Sequence, residues 1–159
     1  MAPTIRRAVR ALVIDPSSRL LLFRADLPDR DPWWFAPGGA VEDDETNDAA
    51  LVRELAEETG IVVDAATIST PVWTRDHLFT WQGQEERQLE QFYVVHVTTQ
   101  DADTAQFEPT EAGQIRPHRW WTLKEIQSSQ ERFSPAGLAD LLEPLLCGQP
   151  PTDPVEVGP

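Results

Sequence analysis

Between Gly39 and Ile61 the chain reads Gly-x5-Glu-x7-Arg-Glu-Leu-x-Glu-Glu-x-Gly-Ile, with Gly39, Glu45, Arg53, Glu54, Leu55, Glu57, Glu58, Gly60 and Ile61 at the fixed places. With each residue type used at roughly 5–7%, so many fixed choices coincide by chance less than about once in a billion starting points. The stretch also dictates a local structure. Thr46 is a good N-cap, residues 47–59 hold no proline or glycine, and Gly60 stands where a helix end favours a left-handed residue. Within that helix Glu54, Glu57 and Glu58 are spaced i, i+3 and i+4, so their carboxylates share one face. Val52, Leu55 and Ala56 fall on the opposite side, with Leu51 at its margin, and supply the stripe that packs on a core. The expected helix is dry on one face and acidic on the other.

Carboxylates crowded into two turns repel, and like-charged i,i+4 pairs cost a few tenths of a kcal/mol each, roughly. A hard divalent cation removes that conflict, because oxygen ligands are what Mg2+ and Mn2+ select. Glu42, Asp43, Asp44, Glu45 and Asp48 deepen the negative field, and only Arg53 offsets it from within the helix, with Glu57 at i+4 as a partner. An acidic helix face taken alone is most often solvated surface; here it comes with glycines and an arginine in register. A diphosphate or triphosphate is itself anionic, so an acidic pocket accepts it only through a metal that bridges its oxygens and lowers the pKa of a bound water.

The pattern, with Trp33-Trp34-Phe35-Ala36-Pro37-Gly38-Gly39 before it, resembles the signature of the Nudix hydrolases, and no position departs from it. The resemblance implies an α/β/α sandwich with a mixed central sheet. It implies hydrolysis of a P–O–P linkage in a nucleoside diphosphate joined to another group, with Mg2+ or Mn2+ as cofactor. It carries over Glu54, Glu57 and Glu58 as metal ligands and catalytic groups, and Arg53 as the residue orienting the glutamates. Gly38 and Gly39 become backbone that approaches the metal or phosphate closely, and Glu45 a supporting or outer ligand. A turn needing positive φ is the plainer reason for the glycines, and both roles can hold together. The group that takes the proton from water is a box glutamate or one from a later loop. The later candidates are Glu108 and Glu111, in the segment preceding a strand at 114–121; a box glutamate is favoured, with Glu111 second.

A chain of 159 residues suits one domain, expected over 1–147, followed by a flexible Pro/Gly-rich tail at 148–159 with no packed role. A formal charge of −14 argues against a nucleic-acid backbone as partner. Cys147 is the sole cysteine, which excludes an internal disulfide and a cysteine zinc site, and a buried or inert thiol is expected. The apolar run after the N-terminal arginines is too short for a signal peptide and no stretch is long enough to cross a membrane, which makes the cytoplasm the expected compartment. Homodimers occur in the family, though no residue here marks an interface.

Strands are expected at 9–14 and 20–24, joined by the Pro16-Ser17-Ser18 turn, then at 33–35. Alternating stretches over 67–81 turn at Gln82-Gly83-Gln84 into a long strand at 89–99. A short helix is expected at 123–127. A last helix is capped by Ser134 with Pro135 at its first position, and Pro144 should bend or end it.

The resemblance implies that specificity lies outside the box. Arg24 ends the second strand and is a candidate phosphate clamp, or an ordinary exposed arginine. Trp34, Trp73, Phe79 and Trp81 are candidates to stack on a nucleobase, although aromatics on strands more often fill the core. Arg75, Asp76 and His77 lie among them and could read a base or ribose edge, whereas His96 and His118 alternate within strands and read as structural. Cys147 lies far from the box, against an isopentenyl diphosphate isomerase. The extra motifs of coenzyme A and NADH pyrophosphatases are not visible. The proline and tyrosine expected past the box in many ADP-ribose and dinucleoside polyphosphate hydrolases are missing too. A small nucleoside di- or triphosphate remains as the leading substrate class. The alternatives are a catalytically silent nucleotide sensor, which broken box glutamates would favour, and an acidic cation-binding module, which needs neither Arg53 nor the Pro-Gly-Gly turn.

Overall fold

The computed structural model describes residues 2–107 and 117–159. Strand β1 (Thr4–Ile14) is the spine of the molecule. Its residues alternate between two cores: Val9, Ala11 and Val13 on one face, Leu12 and Ile14 on the other. All these side chains are buried, so a layer must cover each face.

Helix α1 (Asn47–Thr59) covers the first face, placing Ala50, Leu51 and Leu55 against Val9, Ala11 and Leu21. Helices α3 (Leu123–Ser128) and α4 (Leu138–Leu146) cover the second, where Ile126, Leu138 and Leu142 meet Leu12, Leu20 and Leu22. A short helix α2 (Thr99–Thr104), opened by a capping box between Thr98 and Asp101, completes the α-helices of the described residues, beside a 3-10 turn at Ala65–Thr67. The expected α/β/α layering with a mixed sheet is present.

Strand β1 pairs in parallel with β6 (Gln84–His96) from Thr4↔Glu86 to Ile14↔His96, and β6 forms a hairpin with β5 (Trp73–Trp81). On its other edge β1 is shared. Its end meets β2 (Leu20–Ala25) at Ile14↔Leu20, while its middle meets β4 (Gly38–Ala40) over Ala8–Arg10. Between those contacts β2 leaves with β3 (Trp33–Phe35), and the sheet splits. Strands β7 (His118–Trp121) on β2, β8 (Arg132–Phe133) on β3 and β9 (Val155–Glu156) on β5 complete it.

Several expectations change. The strand expected over 89–99 begins at Gln84 and ends at His96, since Thr98 caps a helix. That expected over 114–121 is described only from His118, and residues 114–116 lie outside the described residues. Ser134 does not cap α4. Its hydroxyl accepts from Arg75 Nη1 at 2.7 Å, and the N-cap is Gly137 at φ 75° without a side-chain bond. Pro144 is accommodated inside α4, which runs to Leu146. Cys147 is exposed rather than buried, because it lies just past the last core turn of α4.

The tail is not loose. Val155 and Glu156 pair in parallel with Trp73 and Thr74, Val157 is buried, and Pro159 O accepts from Ala136 N at 2.9 Å. Its apolar valines and the open edge of β5 outweigh the proline content on which the flexible reading rested.

Candidate active site

Helix α1 begins and ends as its sequence requires. Thr46 Oγ1 accepts from Ala49 N at 3.1 Å, and Gly60 closes the helix in the left-handed region at φ 71°. The face it turns to the sheet is not the expected one. Ala50, Leu51, Leu55 and Thr59 are buried, whereas Val52 and Ala56 are only partly so. Glu54 and Glu58 therefore stand at the margin of the packed face, not opposite to it, while Glu57 points outward with its side chain 60% exposed. Strand β4 makes this possible. A Cβ on Gly39 would lie 2.5 Å from Glu54 Oε1, so only glycine leaves the carboxylate its place. Gly38 N donates to Glu58 Oε1 at 3.1 Å. Gly38 is itself demanded by the spine: its φ is 148°, and a Cβ there would lie 2.0 Å from Val9 O.

Arg53 ties the acidic groups together. Its Nε and Nη2 donate to Glu45 Oε2 and Oε1 at 2.8 and 2.9 Å, a bidentate pair. Nη2 also donates to Ala40 O at 3.1 Å, while Nη1 reaches Glu54 Oε1 at 3.0 Å and Glu57 Oε2 at 3.4 Å. The Glu57 contact expected from spacing is thus the longest of the set. The Arg53 hydrogen bond, helped by the Glu42 backbone, holds the Glu45 carboxyl down at about 2, and Glu45 in turn raises Arg53 above its already high value.

On the other side of the 36–37 loop, which leads into β4, the split in the sheet opens into a cleft of ≈ 790 Å3. Arg10, Trp33, Phe35, Arg75, His77 and Phe79 line it. Glu90 is buried at its floor, where Oε1 accepts from Arg10 Nε and Gln88 Nε2, both at 2.9 Å, and Oε2 from Arg75 Nε at 2.5 Å. Burial pushes the Glu90 carboxyl up, but Arg10 and Arg75 outweigh it and hold it at about 2. His77 Nδ1 lies 3.8 Å from Glu90 Oε2, beyond hydrogen-bond reach. Burial lowers the His77 pKa more than Glu90 raises it, which favours the neutral imidazole. The loop joins cleft and box: Ala36 lines the cleft and accepts from Arg10 Nη1 at 3.2 Å, and two residues on Gly38 holds Glu58.

The NUDIX domain model matches residues 4–142. The chain belongs to the Nudix family. It is 32% identical over 80 residues to an RNA pyrophosphohydrolase of Dinoroseobacter shibae, a match spanning 45% of this chain and 50% of that protein. A second RNA pyrophosphohydrolase, of Sphingopyxis alaskensis, is 30% identical over 118 residues, covering 69% of this chain and 73% of its own. The MutT protein of Methanosarcina mazei superposes with a TM-score of 0.64 at 21% identity, over 90% of this chain and 94% of that one, a likeness of fold.

Nudix hydrolases as a family use divalent metals. Among the described residues no three His, Cys, Asp or Glu side chains converge as a closed metal centre, since Arg53 draws Glu45, Glu54 and Glu57 to itself. The donor chemistry nevertheless suits a hard cation: the side chains are all carboxylates, and Gly39 clears the space beside Glu54.

The other candidate residues separate cleanly. Arg75 and His77 face the cleft, but Trp34 does not: it is buried, edge-on to Trp121 with ring centres 5.1 Å apart. Its neighbours Trp33 and Phe35 line the cleft instead, because side chains alternate along a strand. Arg24 is registered opposite Trp34, turns to Asp26 at 3.8 Å, and is not among the residues of the cleft. Trp73 is core, Phe79 lines the cleft, and the side chain of Trp81 lies outside the described residues. His118 stacks on Phe107 at 3.6 Å, whereas His96 is exposed. Glu108 and Glu111 lie outside the described residues. Sequence reasoning missed Arg10, Gln88 and Glu90; polar residues within apolar strands were the available signal.

Proposed function

We propose that this Nudix hydrolase cleaves the P–O–P linkage of a nucleoside di- or triphosphate, or of a nucleoside diphosphate derivative, using Mg2+ or Mn2+. One observation carries the reading: a single short loop, 36–37, with the start of β4, separates the box carboxylates from an aromatic, arginine-lined cleft. A substrate lying across that loop would place its phosphates by Glu54, Glu57 and Glu58 and its nucleoside against Trp33, Phe35 and His77.

In this mechanism Glu54, Glu57 and Glu58 would hold the cation, with the Gly39 backbone as a further donor. When bound, the cation neutralises phosphate charge and lowers the pKa of water. Arg53 fixes Glu54 against Glu45, so that its carboxylate is already oriented when substrate arrives. A box glutamate takes the proton as water adds to phosphorus, with Glu111 the alternative base. The bridging oxygen leaves with the second phosphate, so one water is consumed per linkage.

The relatives named as RNA pyrophosphohydrolases favour a second reading, a triphosphate at an RNA 5′ end. The charge of −14 weighs against it, because an acidic protein repels the phosphates beyond the first nucleotide. The remaining parts of the reading are a single domain into which residues 155–159 pack, a cytoplasmic setting, and a small nucleotide as ligand. Among the described residues no helix is long and apolar enough to cross a membrane.

Purified protein assayed against nucleoside di- and triphosphates, nucleotide sugars, ADP-ribose, dinucleoside polyphosphates and 5′-triphosphorylated RNA tests the reading. Mononucleotide turnover that EDTA abolishes and Mg2+ or Mn2+ restores is expected. RNA-only turnover would favour the second reading, and metal-independent turnover would overturn both.

A further inference from the structure

We infer that the segment Val155–Pro159 belongs to the substrate site, forming one wall of the cleft and fixing Arg75, so that it sets how tightly the nucleoside end is held. The inference rests on the reading of the cleft given above. It concerns residues beyond the stretch 4–142 that matches the family.

Main-chain bonds attach the segment to the open edge of β5: Val155 N donates to Val72 O at 3.0 Å and Val157 N to Thr74 O at 2.8 Å. The buried Val157 side chain anchors it in the same core as Trp73 and Leu142. From that anchor the chain runs to the cleft, which Pro159 lines together with Ser134 and Ala136. Pro159 O accepts from Ala136 N, so these two pieces of wall are tied to each other.

Arg75 is the residue they share. Its Nη1 donates to Ser134 Oγ at 2.7 Å and to Gly158 O at 3.4 Å, while its Nε is held by Glu90. Its guanidinium carbon lies 5.3 Å from the centre of the Phe92 ring. A guanidinium restrained from several sides keeps one orientation toward a ligand, and freeing one side restores motion that binding must then arrest. The segment's hydrogen bonds go to Val72, Thr74, Arg75 and Ala136, none of which belongs to the box. Its influence therefore falls on binding and spares the chemical step.

Two full-length variants separate this role from mere stability, by steady-state kinetics, calorimetric binding of a non-hydrolysable nucleoside triphosphate, and thermal melting. Val157→Asp unseats the anchor; Pro159→Trp leaves it seated and fills the cleft. Each is expected to raise KM and Kd by about tenfold or more with kcat within about twofold. If Val157→Asp does not fold, Pro159→Trp decides alone. Unchanged KM and Kd in folded variants overturn the inference and leave the hydrolase reading intact, as does a fall in kcat at constant KM. If the wild type binds nucleotide without cleaving it, the hydrolase reading falls and Kd still decides the segment's role. A wild type that binds no nucleotide overturns both.

Discussion

Gly39 and Glu54 face each other so closely that a single added carbon on the glycine would lie 2.5 Å from the carboxylate oxygen. Gly39 does not have the positive φ that strains other residues, so Gly39→Ala acts through that contact alone. The far end of a glutamate yields easily, and the variant should keep nearly all its stability while Glu54 is displaced. We expect kcat to fall by about tenfold to a hundredfold, since misplacing a catalytic group by 1 Å can cost about that much. Gly38→Ala should behave oppositely. Its Cβ would meet the Val9 carbonyl of the spine at 2.0 Å, and backbone strain of about 1–3 kcal/mol adds to the clash. Melting curves and kinetics on the pair distinguish the two glycines; equal stability losses would refute the distinction.

Arg53→Lys tests whether the fork of the guanidinium matters or only its charge. Lysine keeps the charge but cannot bind both Glu45 oxygens while also reaching Glu54 and the Ala40 carbonyl. Groups that orient metal ligands typically affect metal affinity or activity by about 10–100-fold. A loss in that range, with the midpoint for Mg2+ activation shifted upward, is the expected outcome. Wild-type metal dependence in the lysine variant would show that charge suffices.

Glu57→Gln and Glu58→Gln address the carboxylates themselves. Each should lower turnover by orders of magnitude, because a neutral amide oxygen lacks the negative charge with which a carboxylate holds a hard cation. Glu57 is exposed, so its variant should melt with the wild type. Glu58 also accepts from Gly38 N, a bond that the amide oxygen can retain. Turnover near the wild-type rate in either variant would remove that residue from the proposed metal site.

These residues divide by how they could be known in advance. The box was legible because its groups lie within one helix and the loop before it, where spacing alone fixes geometry. The rotation of α1 was not, since it depends on Gly39 offering Glu54 a place that helical periodicity does not describe. The cleft was harder still: Arg10 and Glu90 are 80 residues apart and meet only through the parallel pairing of β1 with β6. That Trp33 and Phe35 line the cleft while Trp34 is buried is a matter of phase along three residues. The tail misled because proline content says nothing about an open strand edge elsewhere in the chain.

That phase yields a comparison of three aromatic-to-alanine variants with Arg24→Ala. Trp33→Ala and Phe35→Ala should raise KM by about tenfold, the scale of losing one stacking surface for a base. Trp34→Ala removes a buried ring packed on Trp121 and should cost about 3–5 kcal/mol of stability. Arg24→Ala should leave KM within about twofold of wild type, since Arg24 turns to Asp26 away from the cleft. A strong KM effect at Arg24 with none at Trp33 would relocate the nucleoside.

The buried carboxylate beneath the cleft gives a dependence on pH whose sign is fixed. Arg10 and Arg75 hold the folded Glu90 at about 2, against an ordinary 4.5. A group with a depressed folded pKa binds fewer protons in the folded than in the unfolded chain, so its stabilisation is present above about pH 4.5 and is lost as the pH falls toward 2. A difference of this size corresponds to roughly 3 kcal/mol. Glu90→Gln should therefore be destabilised at pH 7, where it leaves two arginines facing each other without their shared anion. Its deficit relative to wild type should shrink steadily below pH 4.5. Denaturant unfolding of both proteins between pH 7 and pH 3 measures that difference. A deficit that stays constant across the range would mean that Glu90 stabilises the cleft through packing and neutral hydrogen bonds, and not through its charge.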